Sequence, residues 1–186
     1  CRCYEEAKNE GDKQGLQVFF GWEQNFGGDE YLVYGLDREW LYAHPEVKRY
    51  TRAEQYAAAH TRNGCVVQAH PFRDRDYIRR ICLSTACVDG VEVYNAANPI
   101  EVNVQAYHYA RSLGLPMLAG TDIHDVGRRL PENVSGVAFD TPLTDVYDFA
   151  RRINEKQPFD MLAPLDELRT GRGLSGRAPV KGQGVH

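Results

Sequence analysis

The sequence predicts an α/β domain built on a mainly parallel sheet, and three observations carry that prediction. Short runs rich in β-branched and aromatic residues alternate with segments of helical periodicity. The clearest helical segments have capping residues in front and Gly or Asn behind. Four of the strand-like runs end in Glu23, His70, Asn95 or Asp122, as expected where function collects at the C-terminal ends of strands.

QVFFGWE (17–23) reads as the first strand and EYLVYGL (30–36) as the second, with Gly27 and Gly28 in a hairpin-like turn between them. Thr51 and Glu54 form a T-x-x-E capping box. The helix they open runs through YAAAH and stops near Asn63 and Gly64. CVVQAH (65–70) is a short strand of the buried type, and DYIRRIC (76–82) fits an amphipathic helix with Tyr77, Ile78 and Ile81 on one side. After the strand GVEVYN (90–95), Asn98 and Pro99 stand as N-cap and first residue of a helix. Its apolar stripe is Ile100, Val104, Tyr107, Ala110 and Leu113, and Gly114 ends it. PMLAGTD (116–122) and SGVAFD (135–140) are further strands. Thr141 and Pro142 open a last helix with Val146, Phe149, Ala150 and Ile153 on one face. The domain spans 1–163. From 164 the pattern fades into a basic tail, 164–186, read as flexible chain in preference to a nucleic-acid arm.

A chain of 186 residues with 42% hydrophobic and 26% charged residues suffices for one domain with a substantial core. A formal charge of -4 does not mark a general nucleic-acid or membrane binder. No apolar run is long enough to span a bilayer, and the N-terminus lacks the apolar core of a secretory signal. Of the five cysteines none forms a C-x-x-C pair, and Cys65, Cys82 and Cys87 sit in or beside apolar segments. Reduced thiols in a cytoplasmic protein are the simplest account.

Taken singly, each polar strand end has a plain explanation. Glu23 is a surface acid at a turn, His70 a core histidine with a backbone partner, Asn95 a turn residue, and Asp122 a helix cap beside a solvated His124. A sheet that brings strand ends to one rim changes that reading. Glu23, His70, Asp122 and His124 together make a mixed nitrogen and oxygen set suited to Zn, Mn or Fe.

Four motifs occur in order: G-W-E at 21–23, V-V-Q-A-H-P-F at 66–72, G-V-E-V-Y-N at 90–95 and G-T-D-I-H at 120–124. Together they resemble the later motifs of the PHP (polymerase and histidinol phosphatase) superfamily, over about residues 17–160. The resemblance implies a distorted (β/α)7 TIM-like barrel of the PHP type and hydrolysis of phosphoesters. The water would be activated by a cluster of two or three divalent ions (Mn, Zn or Fe). It implies that Glu23 bridges two ions, that His70, Asp122 and His124 are ligands, and that Glu23 and Asp122 are catalytic. Asn95 falls at a position near the site.

Two departures stand out. The family's first-strand His-x-His occurs nowhere here, and the chain opens in a helical pattern without a cap. The barrel is therefore expected to be incomplete, its first β/α units missing and the chain as given nearly inactive. Relatives also carry a histidine where this chain has Leu32, and His44 is a candidate replacement in space. Arg73, Arg75, Arg128 and Arg129 follow strand-end motifs and could clamp a phosphate, or be solvated surface charges. The expected partner is a small phosphorylated substrate or nucleotide; nucleic acid is possible but not favoured. The competing function is a degenerate, non-catalytic PHP module with a structural or binding role.

Overall fold

In the computed structural model, which describes residues 2–76, 78, 80–124 and 135–171, a five-stranded sheet forms the centre. The chain enters through helix α1 (Arg2–Gln14), then strands β1 (Gly21–Asn25) and β2 (Glu30–Tyr34). Helices α2 (Arg38–Ala43) and α3 (Arg52–Thr61) follow, joined by a 3₁₀ turn at Pro45–Arg49. Next come β3 (Cys65–Ala69), β4 (Gly90–Asn95), α4 (Ile100–Leu113) and β5 (Met117–Gly120). The remainder is β6 (Gly136–Ala138), α5 (Val146–Asn154), β7 (Asp160–Leu162) and α6 (Leu165–Thr170). Among the described residues no helix is long and apolar enough to cross a membrane.

The strands lie in the order β1-β2-β3-β4-β5; the first two pairings are antiparallel and the last two parallel. The β1–β2 turn forms because the Asn25 side chain accepts from the Gly27 and Gly28 N–H groups at 2.8 and 3.0 Å. Both glycines take positive φ, +81° and +124°, which L side chains rarely adopt. The register sets Glu23 opposite Leu32 and Glu30 opposite Ala69, so both acids and the flanking apolar residues share one face. On that face Leu32, Tyr34, Cys65, Val67 and Leu118 pack against Ala150 and Ile153 of α5. On the opposite face Val33 and Val66 meet Ala59 of α3, while Val91 and Val93 meet Ala106 and Ala110 of α4.

Helix α3 begins where its capping box predicts. The Thr51 hydroxyl accepts from the Glu54 N–H, and the Glu54 carboxylate accepts from the Thr51 N–H at 2.7 Å. Thr51→Ala is expected to cost about 1 kcal/mol in a denaturant titration, since two N-terminal donors lose their arrangement together.

Several expectations are corrected. The sheet of the described residues is mixed where a mainly parallel one is expected, and it is open, with no closed (β/α)7 barrel among them. Strand β1 starts at Gly21, because pairing with β2 starts there; Phe20 meets the Tyr4 ring edge-on at 5.1 Å instead. The described residues of 76–82 form no helix. The buried Gln68 amide donates to the Cys82 carbonyl at 2.7 Å and accepts from the Ser84 N–H, pinning that stretch as loop. Helix α4 starts one residue late, with Pro99 as N-cap, since the Asn98 side chain is engaged by Arg73. Strand β6 pairs with β7 and stays out of the main sheet. Helix α5 opens at Asp145, whose side chain accepts from the Asp148 N–H. Residues 165–170, expected as part of the tail, form helix α6, which buries Leu168 fully against the α4 side of the sheet. Residues 172–186, most of that tail, lie outside the described residues.

Candidate metal centre

Strands β1, β3, β4 and β5 run one way and β2 the other. The far end of β1, the near end of β2 and the far ends of β3 to β5 therefore form one rim. Glu23 of β1, Glu30 of β2 and His70, just past β3, converge there. The His70 Nε2 atom lies 3.4 Å from a Glu23 carboxylate oxygen and 3.5 Å from one of Glu30. One donor atom from each of the three falls within 4.8 Å of the other two. The His70 side chain is 4% exposed, Glu30 12% and Glu23 36%, so the cluster opens to solvent past Glu23.

The backbone of His70 is held in the left-handed region, φ +25°, a conformation that costs a non-glycine residue about 1–3 kcal/mol and needs support. Part of that support is a buried carboxylate. Glu92, in the middle of β4, accepts from the His70 N–H and from the Asn95 side-chain amide, both at 3.1 Å. Room for it exists because a Cβ on Gly120 would stand 2.5 Å from its second oxygen. Burial pushes the Glu92 carboxyl above its ordinary range, against the pull of Asn95 and His70.

A raised folded-state pKa means that the folded protein holds a proton the unfolded chain has released. That acid's contribution is intact below the ordinary carboxylate range and fades as pH rises through the raised value. In metal-free protein Glu92→Gln, which keeps a carbonyl acceptor without the charge, is expected to raise the melting temperature more at pH 8 than at pH 4. Thermal melts at the two pH values measure the difference.

Asp122 and its neighbours form the other half of the rim. Its backbone is also left-handed, φ +51°. Its carboxylate pairs with the Arg73 guanidinium. Arg73 also donates to the side-chain oxygens of Asn98 at 2.9 Å and Asn95 at 3.3 Å, and is 10% exposed. Burial alone would raise the Asp122 pKa, but Arg73, with Asn95 and His70, outweighs it and holds the group below its ordinary range. His124 is 77% exposed, its Nδ1 lying 3.2 Å from the Asp122 carboxylate.

All four sequence-predicted ligands thus lie on or beside one rim, but in two groups. Glu23 and His70 come together, while Asp122 pairs with His124 and with Arg73. Arg73 is an internal partner and not a free surface cation; Arg75 is exposed, its guanidinium on the Asp74 carbonyl. Arg128 and Arg129 lie outside the described residues. Leu32 lines an apolar cavity of about 290 Å³ with Tyr34, Val67, Phe149 and the Glu92 carboxyl. His44 does not replace it: its ring stacks on Trp40 at 4.3 Å, with Nδ1 3.0 Å from the Trp40 carbonyl. The third member of the cluster is Glu30, which sequence reasoning missed together with Glu92.

Two carboxylates and one imidazole form a donor set suited to Zn, Mn or Fe, and their spacing fits one ion. No family model matches this chain, and no curated protein sequence matches it. Among solved structures it resembles a protein of Bifidobacterium adolescentis provisionally assigned as a metal-dependent phosphoesterase. The TM-score is 0.51 and the identity 17%, over 70% of this chain and 77% of that one. At this identity the likeness is one of fold: over most of its length the chain folds as that protein does.

Proposed function

We propose that the protein is a metal-dependent phosphoester hydrolase of the PHP type, acting on a small phosphorylated substrate or nucleotide. The observation that carries this reading is the convergence of Glu23, Glu30 and His70 on the rim where α/β sheets place their chemistry. The fold shared with a provisionally assigned phosphoesterase and the four ordered motifs support it. Glu23, Glu30 and His70 would hold the divalent ion, Mn, Zn or Fe. When bound, such an ion polarises a phosphoryl oxygen and makes a water more acidic.

The chain's own groups do the rest. Glu92 fixes the His70 backbone and thereby aims the imidazole. Asp122, kept ionised by Arg73, would orient water at the rim as a hydrogen-bond acceptor. Arg73, held on Asn95 and Asn98, adds positive charge where a phosphate would sit.

The experiment is metal loading of the full-length protein, with hydrolysis of p-nitrophenyl phosphate followed with and without chelator. Turnover that needs Mn or Zn and stops on chelation is the expected result. Chelator-insensitive inactivity of the metal-loaded protein sinks the enzyme and leaves the binding module. One observation favours that second reading: the Asp122 carboxylate is already neutralised by an arginine.

A further inference from the structure

We infer that Arg73 stands in place of a second divalent cation: the rim takes one ion, at Glu23, Glu30 and His70, while Asp122 is committed to Arg73. The inference rests on the metal-centre reading above and changes its stoichiometry from the two or three ions of the family to one.

Anchoring is the first argument. Arg73 is held at three points, its Nε on Asn98, and one Nη on both Asn95 and Asp122. The acceptors are themselves fixed. Asn95 donates to Glu92, its backbone exchanges hydrogen bonds with the buried Asn103 side chain, and the Asn98 N–H donates to the Asn95 carbonyl. A long side chain usually wanders; one gripped this way, and 10% exposed, is a fixed charge.

Delivery is the second. The turn that follows β3 bonds the Arg73 N–H to the His70 carbonyl at 2.9 Å. One short turn therefore presents an imidazole to the first cluster and a guanidinium to Asp122, and the two cannot move independently.

Charge is the third. Among the described residues, Glu23, Glu30 and Asp122 turn three carboxylates to the rim against one guanidinium, leaving two negative charges there, while the Glu92 carboxylate is turned inward on the His70 N–H and the Asn95 amide. One divalent ion neutralises the two charges at the rim. A second ion, ligated by Asp122, would sit in contact with a guanidinium of like sign in a partly desolvated site. His124 already turns its Nδ1 to the Asp122 carbonyl and carboxylate, which leaves only the exposed Nε2 of the ring to offer an ion.

The test is Mn²⁺ binding by the chelator-treated full-length protein, read by bound-metal analysis and by electron paramagnetic resonance. Wild type is expected to bind one Mn²⁺ per chain with the spectrum of an isolated ion. Arg73→Met should bind two and show a spin-coupled pair, because Asp122 is released. Asp122→Asn should stay at one. Two or more ions in wild type, loss of the ion in Asp122→Asn, or a single ion in folded Arg73→Met would each overturn the inference. Should Arg73→Met fail to fold by circular dichroism, wild type and Asp122→Asn decide it: one ion in each supports it. Binding of no Mn²⁺ by wild type rejects the metal-centre reading itself, an outcome distinct from binding two.

Discussion

His70→Asn is expected to abolish tight divalent-ion binding and to lower phosphoester turnover by on the order of 10³-fold, about 4 kcal/mol of transition-state stabilisation. Asn is the instructive replacement. His70 sits at φ +25°, and Asn tolerates the left-handed region better than Ala does. The Glu92 bond to the backbone N–H at this position survives too. What disappears is the Nε2 atom between Glu23 and Glu30. Bound metal and initial rates check this, alongside a melting curve that should move little. Retained activity in a variant that binds no metal would exclude His70 from the chemistry.

The largest stability effect is expected at a residue with no chemistry. Gly64 stands where the corner between α3 and β3 passes the end of β2. A Cβ there would lie 2.2 Å from the Tyr34 carbonyl oxygen and 3.0 Å from that of Ala59. Both obstacles are backbone and cannot swing aside. Gly35 presses on the same point, at φ +90°, with a Cβ position 2.6 Å from the Gly64 Cα. Gly64→Ala is therefore expected to cost about 3 kcal/mol, lowering the melting temperature by about 9 °C. The damage reaches the rim. Pushing β2 off β3 displaces Glu30 from His70, so Mn²⁺ affinity should fall with stability. Differential scanning calorimetry and a metal titration on one preparation test both; unchanged melting would show that the corner yields without strain.

How much of this could be read beforehand depended on how local each signal is. The Thr51 box, the Gly27–Gly28 turn and the left-handed Gly114 cap are short-range devices, and each lies where its residues indicate. The described residues of 76–82 are not helical, and at their end the Cys82 carbonyl is taken by a tertiary partner, the Gln68 side chain, that no local window contains. Helix α6 was missed because six residues with two leucines are too few to show a period.

In the site, Glu23 and His70 followed from the strand-end rule. Glu30 did not, because that rule inspects C-terminal ends and β2 runs backwards, bringing its first residue to the rim. An acid at the start of a strand entered from a tight hairpin was the available clue. Glu92 was also in view, a carboxylate between two valines in a buried strand, which needs a partner to be tolerable. The Arg73–Asp122 pair joins residues 49 apart in sequence and leaves no local trace.

The position of β1 carries one more consequence. Among the described strands it is hydrogen-bonded on one side only, to β2, and a bare strand edge is a template on which another copy can add. An ion gripped from β1, β2 and the end of β3 would rivet that outer strand to the interior of the sheet. A ligand that binds only the folded arrangement stabilises it by mass action. Metal supply would then govern solubility as well as turnover: a starved protein would fray at its outer strand and begin to self-associate before its core had loosened.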